Sequence, residues 1–304
     1  MVYNKKMKGV YIMNHDFILS CESTADLPFS YVEKRNIPVI FYSYQIDGLE
    51  YEDDMLRNEN ALLDFYAKIK EGKLPSTSQI NEFRYLEFFE ELLQKGDVLH
   101  IAFGSGLTPS FKNAESAALK LKEKYPQRKL IVIDSLCACS GYGLLIDDAA
   151  DLRDKGLNID EVADYVKNNC KKINSQFFST DMTMFRRSGR VSGSTALVAS
   201  VLGICPIMHL DKEGKIIAYS KVRGSSNAIL TTVKTVIDLL DKEALNKKCF
   251  VAHSNCEELA LKTVDLLKKE NVFDDIRILN IGTIIASHCG PGTVAVFFKG
   301  KERA

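Results

Sequence analysis

A chain of 304 residues exceeds what one hydrophobic core usually fills, so two domains are expected. Its 46% hydrophobic and 26% charged residues fit a globular protein with enough apolar material for two cores and a lined cavity. Lys+Arg and Asp+Glu both number 40, and that zero balance argues against a nucleic-acid binder, whose affinity rests on counterion release from phosphates.

The opening residues 1–16 carry lysines but no apolar run long enough for a secretory signal, so they read as an extension, with Met13 as an alternative start. The longest apolar stretch, Ser194 to Leu210, is interrupted by Pro206 and too short to span a bilayer. A cytoplasmic protein without integral membrane association is expected. Its eight cysteines are scattered without a CxxC pair, which predicts reduced, partly buried thiols and no structural metal.

In chain order, FILSC (17–21) reads as a strand and IPVIFYSYQ (37–45) as another after a short helix, with Asp47-Gly48 turning a hairpin. Helical periodicity covers 61–70 and 81–94. DVLHIAF (97–103) and KLIVID (129–134) are nearly continuous in apolar character, as in strands covered on both faces, with a helix from Pro109 between them and another over 139–155. This alternation predicts a three-layer α/β/α domain on a mainly parallel sheet. From 158 the rhythm changes: helix 159–171, strand SQFFS, helix 194–203, and a hairpin of CPIMHL and KIIAYSK about Asp211–Gly214. Helices at 225–242 and 256–270 and strands at 249–254, 276–280 and 293–298 complete a smaller mixed-sheet α/β domain. The expected division is 1–16, 17–160 and 161–304, with a ligand between the two domains.

Three polar loops stand out. Pro75-Ser-Thr77-Ser78-Gln79 precedes a helix and reads either as an N-cap or as a ligand loop. Gly104-Ser105-Gly106-Leu107-Thr108-Pro109 follows a strand and opens a helix, where free amides and the dipole favour an anion; a plain turn uses the same residues. Ser287-His288-Cys289-Gly290-Pro291-Gly292 predicts a tight turn presenting the imidazole, although a single histidine also serves as a buried hydrogen-bonding group. No nucleophile elbow, P-loop or complete GxGxxG follows a strand.

Ser23-Thr24-Ala25-Asp26-Leu27-Pro28, Thr77-Ser78-Gln79, Ser105-Gly106-Leu107, Arg187-Ser188-Gly189-Arg190-Val191-Ser192 and Gly282-Thr283 with His288, Gly290, Pro291 and Gly292 occur in the order found in the DegV family. From Phe17 to Phe298 the chain resembles that family of fatty-acid-binding, FakB-like proteins. The resemblance implies the two-domain DegV (EDD) fold with a long-chain fatty acid between the domains and no cofactor or catalytic residue. It implies ligand contacts at Thr77, Ser78, Ser105, Gly106 and His288, and partner contacts at Arg187 and Arg190. It further implies a dihydroxyacetone-kinase-like fatty acid kinase as partner, which makes an acyl phosphate from ATP. Two departures are visible: Leu107-Thr108-Pro109-Ser110 replaces Leu-Ser-Gly-Thr, removing an amide donor, and Ser188 replaces a glycine in the basic motif. Small residues in Ser194–Leu210 suggest that this stretch lines an acyl sleeve, with ordinary core packing as the other reading. The rival functions are a stand-alone acyl-ester hydrolase or transferase using Ser105 and His288, with Asp26 as an orienting acid, and a lipid carrier without a kinase.

Overall fold

The computed structural model describes residues 15–58, 60–192, 203–241, 243 and 247–304. The helix expected at 194–203 and most of the proposed sleeve segment lie outside the described residues. In the first part of the chain, β1 (Phe17–Glu22) leads through α1 (Phe29–Lys34) to β2 (Val39–Ile40), β3 (Ser43–Ile46) and β4 (Leu49–Glu52). Then come α2 (Ala61–Lys70), β5 (Ser76–Ser78), α3 (Glu82–Leu93), β6 (Asp97–Ala102), α4 (Ser110–Lys124), β7 (Leu130–Asp134), α5 (Cys139–Asp154) and α6 (Ile159–Asn169). The parallel sheet runs β2-β1-β6-β7, and a small antiparallel sheet β4-β3-β5 stands beside it. The hairpin at Asp47-Gly48 is present, with Ile46 opposite Leu49. Helices α3 and α4 cover one face of the parallel sheet, and α5 and α6 the other. That is the three-layer arrangement the apolar strands call for, since both faces of a parallel sheet must be buried.

The second part holds β8 (Ile173–Ser179), α7 (Thr183–Ser188), β9 (Val191–Ser192), β10 (Ile204–Leu210), β11 (Ile216–Arg223), α8 (Ser225–Leu239), β12 (Lys248–His253), α9 (Glu257–Glu270), β13 (Asp275–Asn280), α10 (Thr283–Cys289) and β14 (Thr293–Lys299). Its mixed sheet runs β13-β12-β14-β8-β10-β11-β9. Helices α8 and α9 pack on one face of it. Helix α6 packs against β6 and β7, and the chain passes from one sheet to the other between Asn169 and Ile173.

Helix α5 has no solvent-facing stripe along most of its length. It contacts β1 on one side and β8, β12 and β14 on the other, forming the layer shared by both sheets. A helix buried on opposite sides needs small residues where backbones crowd, and two glycines supply them. A Cβ on Gly143 would stand 2.4 Å from the Ala25 carbonyl oxygen, and one on Gly141 would stand 2.6 Å from the Phe297 ring. Alanine ordinarily favours a helix over glycine by about 1 kcal/mol. At Gly143 the clash with fixed backbone outweighs that gain, so Gly143→Ala is expected to cost about 1–3 kcal/mol as an overpacked core does. A lower urea midpoint with an unchanged slope is the expected observation, and an equal or higher midpoint contradicts this packing.

Candidate functional site

The two sheets face each other across a cavity of about 310 Å³. That is at the lower end of the roughly 300–1,000 Å³ typical of small-molecule sites. The parallel-sheet side contributes Phe103 and Leu107 beyond the end of β6 and Tyr42 before β3; the mixed sheet contributes Phe177, Ala295 and Phe297. Phe103 is held from below by buried Glu22, whose Oε2 accepts its amide at 3.1 Å while Oε1 accepts the Tyr85 hydroxyl at 2.6 Å. On the mixed sheet, Phe177 pairs with Ala295 across β8 and β14, and alternation points these residues toward the cavity while Phe178 and Val294 enter the core beneath α8 and α9.

One region of the wall is polar. Thr77 Oγ1 lies 2.8 Å from His288 Nε2, joining residues 211 apart in sequence. Ser78, Gln79, Thr108 and Arg190 line the cavity with them. Burial, and then the positive charges of Arg190 and Arg187, push the His288 imidazole down to about 4. At neutral pH it is therefore uncharged, with one ring nitrogen donating and the other accepting. Arg187 donates through Nη1 to the Pro75 carbonyl at 2.9 Å, tying the end of α7 to the segment that carries Thr77. Gly189, at φ 64° in the left-handed region, ends α7 and turns the chain so that Arg190 reaches the cavity. The result is an apolar chamber with hydroxyls, a neutral imidazole and a guanidinium gathered at one place, a combination suited to an amphiphile with an anionic head.

Sequence reasoning misplaced several details. Thr77 and Ser78 lie on strand β5, and the following helix is capped by Asn81, whose side chain accepts the Arg84 amide at 3.0 Å. His288 sits in the last turn of α10 instead of in the Gly-Pro-Gly turn, because the helix runs on until Gly290, at φ 68°, stops it. Ser105 and Gly106 do not line the cavity; Leu107, Thr108 and Pro109 of the same loop do. Ser105 is exposed, with its amide bonded to Asp134, and Gly106 packs so tightly on the β10–β11 turn that a Cβ there would stand 2.5 Å from the Glu213 carbonyl oxygen. Within Ser194–Leu210, the described residues contribute only Leu210 to the lining; Cys205 and Ile207 belong to the core beneath α8. Asp26, imagined as an orienting acid for Ser105 and His288, faces Asp53 and Gly282 instead. The lining residues Tyr42, Phe177, Phe185 and Phe297 carried no sequence signal beyond that of ordinary core positions, whereas Thr24 stands in the Ser23–Pro28 motif.

Residues 19–301 match the family model described as an uncharacterised protein of the DegV family. The chain belongs to the DegV family. A DegV domain-containing protein of Clostridium perfringens is 35% identical over 94% of this chain and 98% of its own length. Among solved structures, a DegV family protein of Thermus thermophilus described for its fatty acid binding superposes with a TM-score of 0.83 at 23% identity, covering 94% of this chain and 99% of that one. A DegV family protein of Eubacterium eligens loaded with heptadecanoic acid gives a TM-score of 0.79 at 20% identity over 94% and 100% of the two chains. These likenesses show that the two-sheet architecture is the DegV fold. Among the described residues no helix is long and apolar enough to cross a membrane, and no group of three or more His, Cys, Asp or Glu is placed to hold a metal. The eight cysteines are free, and all but Cys256 are buried.

Proposed function

We propose that this protein binds a long-chain fatty acid in the cavity between its sheets and presents the carboxylate to a separate ATP-dependent fatty acid kinase. The observation that carries the reading is the pairing of Thr77 with His288 beside Arg190 on the wall of a mostly apolar chamber, in a family whose solved members include fatty-acid complexes. A carboxylate leaving water needs donors or a cation, and Thr77, Ser78, His288 and Arg190 supply them. The acyl tail needs the opposite, and each methylene buried among Phe177, Phe185, Ile284 and Phe297 contributes roughly 0.8 kcal/mol before ordering costs are subtracted. Arg187 and Arg190 are exposed at the same place, so a docked kinase meets positive charge where phosphoryl transfer to the carboxylate builds negative charge. Transfer itself is the partner's chemistry; this chain holds and orients the acceptor.

Native mass spectrometry of the purified protein, followed by lipid extraction, tests the first half. One C14–C18 fatty acid per chain is expected, and occupancy falls in Thr77→Val and His288→Phe. A protein that neither carries nor takes up fatty acid refutes the reading. For the second half, Arg190→Ala should retain measurable lipid while acyl phosphate formation, with kinase and ATP added, drops on the order of tenfold to a hundredfold. An undiminished yield removes Arg190 from the transfer step. Bound lipid that no kinase converts leaves a carrier, and hydrolysis of an acyl ester by this chain alone makes it an enzyme.

A further inference from the structure

One ring in the cavity wall is backed by a glycine. Phe297 lines the cavity, and its ring lies against the backbone of α5 at Gly141. A Cβ at Gly141 would stand 2.6 Å from Phe297 Cδ1, 3.2 Å from Cε1 and 3.4 Å from Cγ, so the ring occupies the space a side chain there would take. The helix cannot back away to make room. Two residues on, about 200° around the helix, Gly143 lies so close to the Ala25 carbonyl that a Cβ would stand 2.4 Å from its oxygen. Gly141 itself is not part of the cavity wall, so it acts on the cavity through Phe297.

The ring sits far from the polar region. His288 lies in the last turn of α10, and after the Gly290–Gly292 turn Thr293, Ala295 and Phe297 line the cavity in succession along β14. Four residues of antiparallel strand are about 14 Å, and Lys299, the next residue on that face, is no longer part of the wall. Arg190 is as distant across the sheet. Strand β9, which follows it, is separated from β14 by β8, β10 and β11, four strand spacings or about 19 Å. An extended tail that leaves the Thr77–His288 pair and follows β14 therefore reaches Phe297 last. We propose that Gly141 and Phe297 set the length of acyl chain the protein accepts: the glycine lets the ring lie back on α5, and the ring marks where the tail must stop. This rests on the fatty-acid reading above and adds the pair of residues that selects chain length.

Calorimetric titration of delipidated full-length protein with saturated acids from C12 to C18, odd lengths included, tests this. Each added methylene should tighten binding roughly fourfold until the tail meets the ring, and there the gain should stop. In Gly141→Ala the new methyl needs about 1 Å more room to reach ordinary contact distance, which drives the ring toward the cavity. The gain should then stop at least one carbon earlier, while acids too short to reach the ring bind within about twofold of the wild type. Phe297→Leu opens the end of the cavity and should move the stopping point at least one carbon later; combining the two changes should bring it back toward the wild type. An unmoved stopping point in Phe297→Leu, or a gain that continues through C18 in the wild type, overturns this inference and leaves the fatty-acid reading intact. A shift in Phe297→Leu with none in folded Gly141→Ala overturns the role of the glycine. No uptake of any acid by the wild type overturns both readings.

Discussion

Replacing Lys248 by methionine is expected to cost about 3–5 kcal/mol of folding stability, the range for removing one partner of a buried ion pair. Lys248 Nζ, on β12, lies 2.5 Å from Asp147, 2.9 Å from Asp148 and 2.7 Å from Asp151, all on α5. Burial alone would raise the Asp147 carboxyl, yet the charge and hydrogen bond of Lys248 hold it below its ordinary range. Methionine fills similar volume but leaves carboxylates one turn apart facing each other, with Asp147 only 1% exposed. Arg277 and Tyr31 still reach Asp147, and Asp151 is 37% exposed and screened by solvent, so the loss belongs mainly to Asp147 and Asp148. Urea denaturation measures the cost, and adding Asp148→Asn to Lys248→Met should recover part of it. A loss below about 1 kcal/mol, the scale of exposed pairs, would mean that the cluster behaves as surface.

The second large effect concerns pH. Asp53 is fully buried, and burial pushes its carboxyl up to about 6 in spite of hydrogen bonds from Ser23, the Met55 amide and Thr283. Asp26 is raised well above its usual range by burial and then by the charge of Asp53. A Cβ placed on Gly282 would lie 2.5 Å from Asp26 Oδ1 and 3.7 Å from Asp53 Oδ1, so the two acids converge on the start of α10, the helix that carries His288. The sign is fixed by which state holds the proton. Both states are protonated below about pH 4, so Asp53 exerts no pull there. Between about 4 and about 6 the unfolded chain releases its proton while the folded chain keeps it, so stability falls as pH rises through that window. Asp53→Asn removes this penalty. Relative to the wild type, the variant should therefore gain about 3 kcal/mol between pH 4 and pH 7, because the folded and unfolded carboxyls titrate about two pH units apart and each is worth about 1.36 kcal/mol. A stability difference that does not change with pH defeats this expectation.

Much of the fold was legible because its rules are local. The strands at 97–102 and 130–134 lie within a sheet covered by helices and are largely apolar, and the hairpins at Asp47-Gly48 and Asp211–Gly214 carry their turn residues with them. The division of the chain was less legible, since α6 follows the change in strand rhythm yet packs on the first sheet. The site divides in the same way. Thr77, Ser78 and His288 came from motif order, and the structure brings all three to one cavity. Ser105 and Gly106 did not follow, because the loop's path is set by the tip of the β10–β11 hairpin pressing on Gly106 from over a hundred residues away. The cavity-facing aromatics were illegible for a related reason: Phe177 and Phe297 sit in strands, and a strand reads the same whether its inner face meets a core or a cavity.

The sharing of α5 between the two sheets has a mechanical consequence. The mixed sheet closes one face on α8 and α9, but its other face shares α5 with the parallel sheet, so neither half covers both faces of its sheet alone. Cutting the chain in the Asn169–Ile173 connection should not liberate two self-sufficient pieces, and heating should melt the whole molecule in a single step. The cavity between the sheets then cannot open by swinging two rigid jaws apart about that connection. Leu107 lines the cavity while neighbouring Gly106 packs on the β10–β11 turn, so a small movement of that loop should change the cavity and leave the central helix undisturbed.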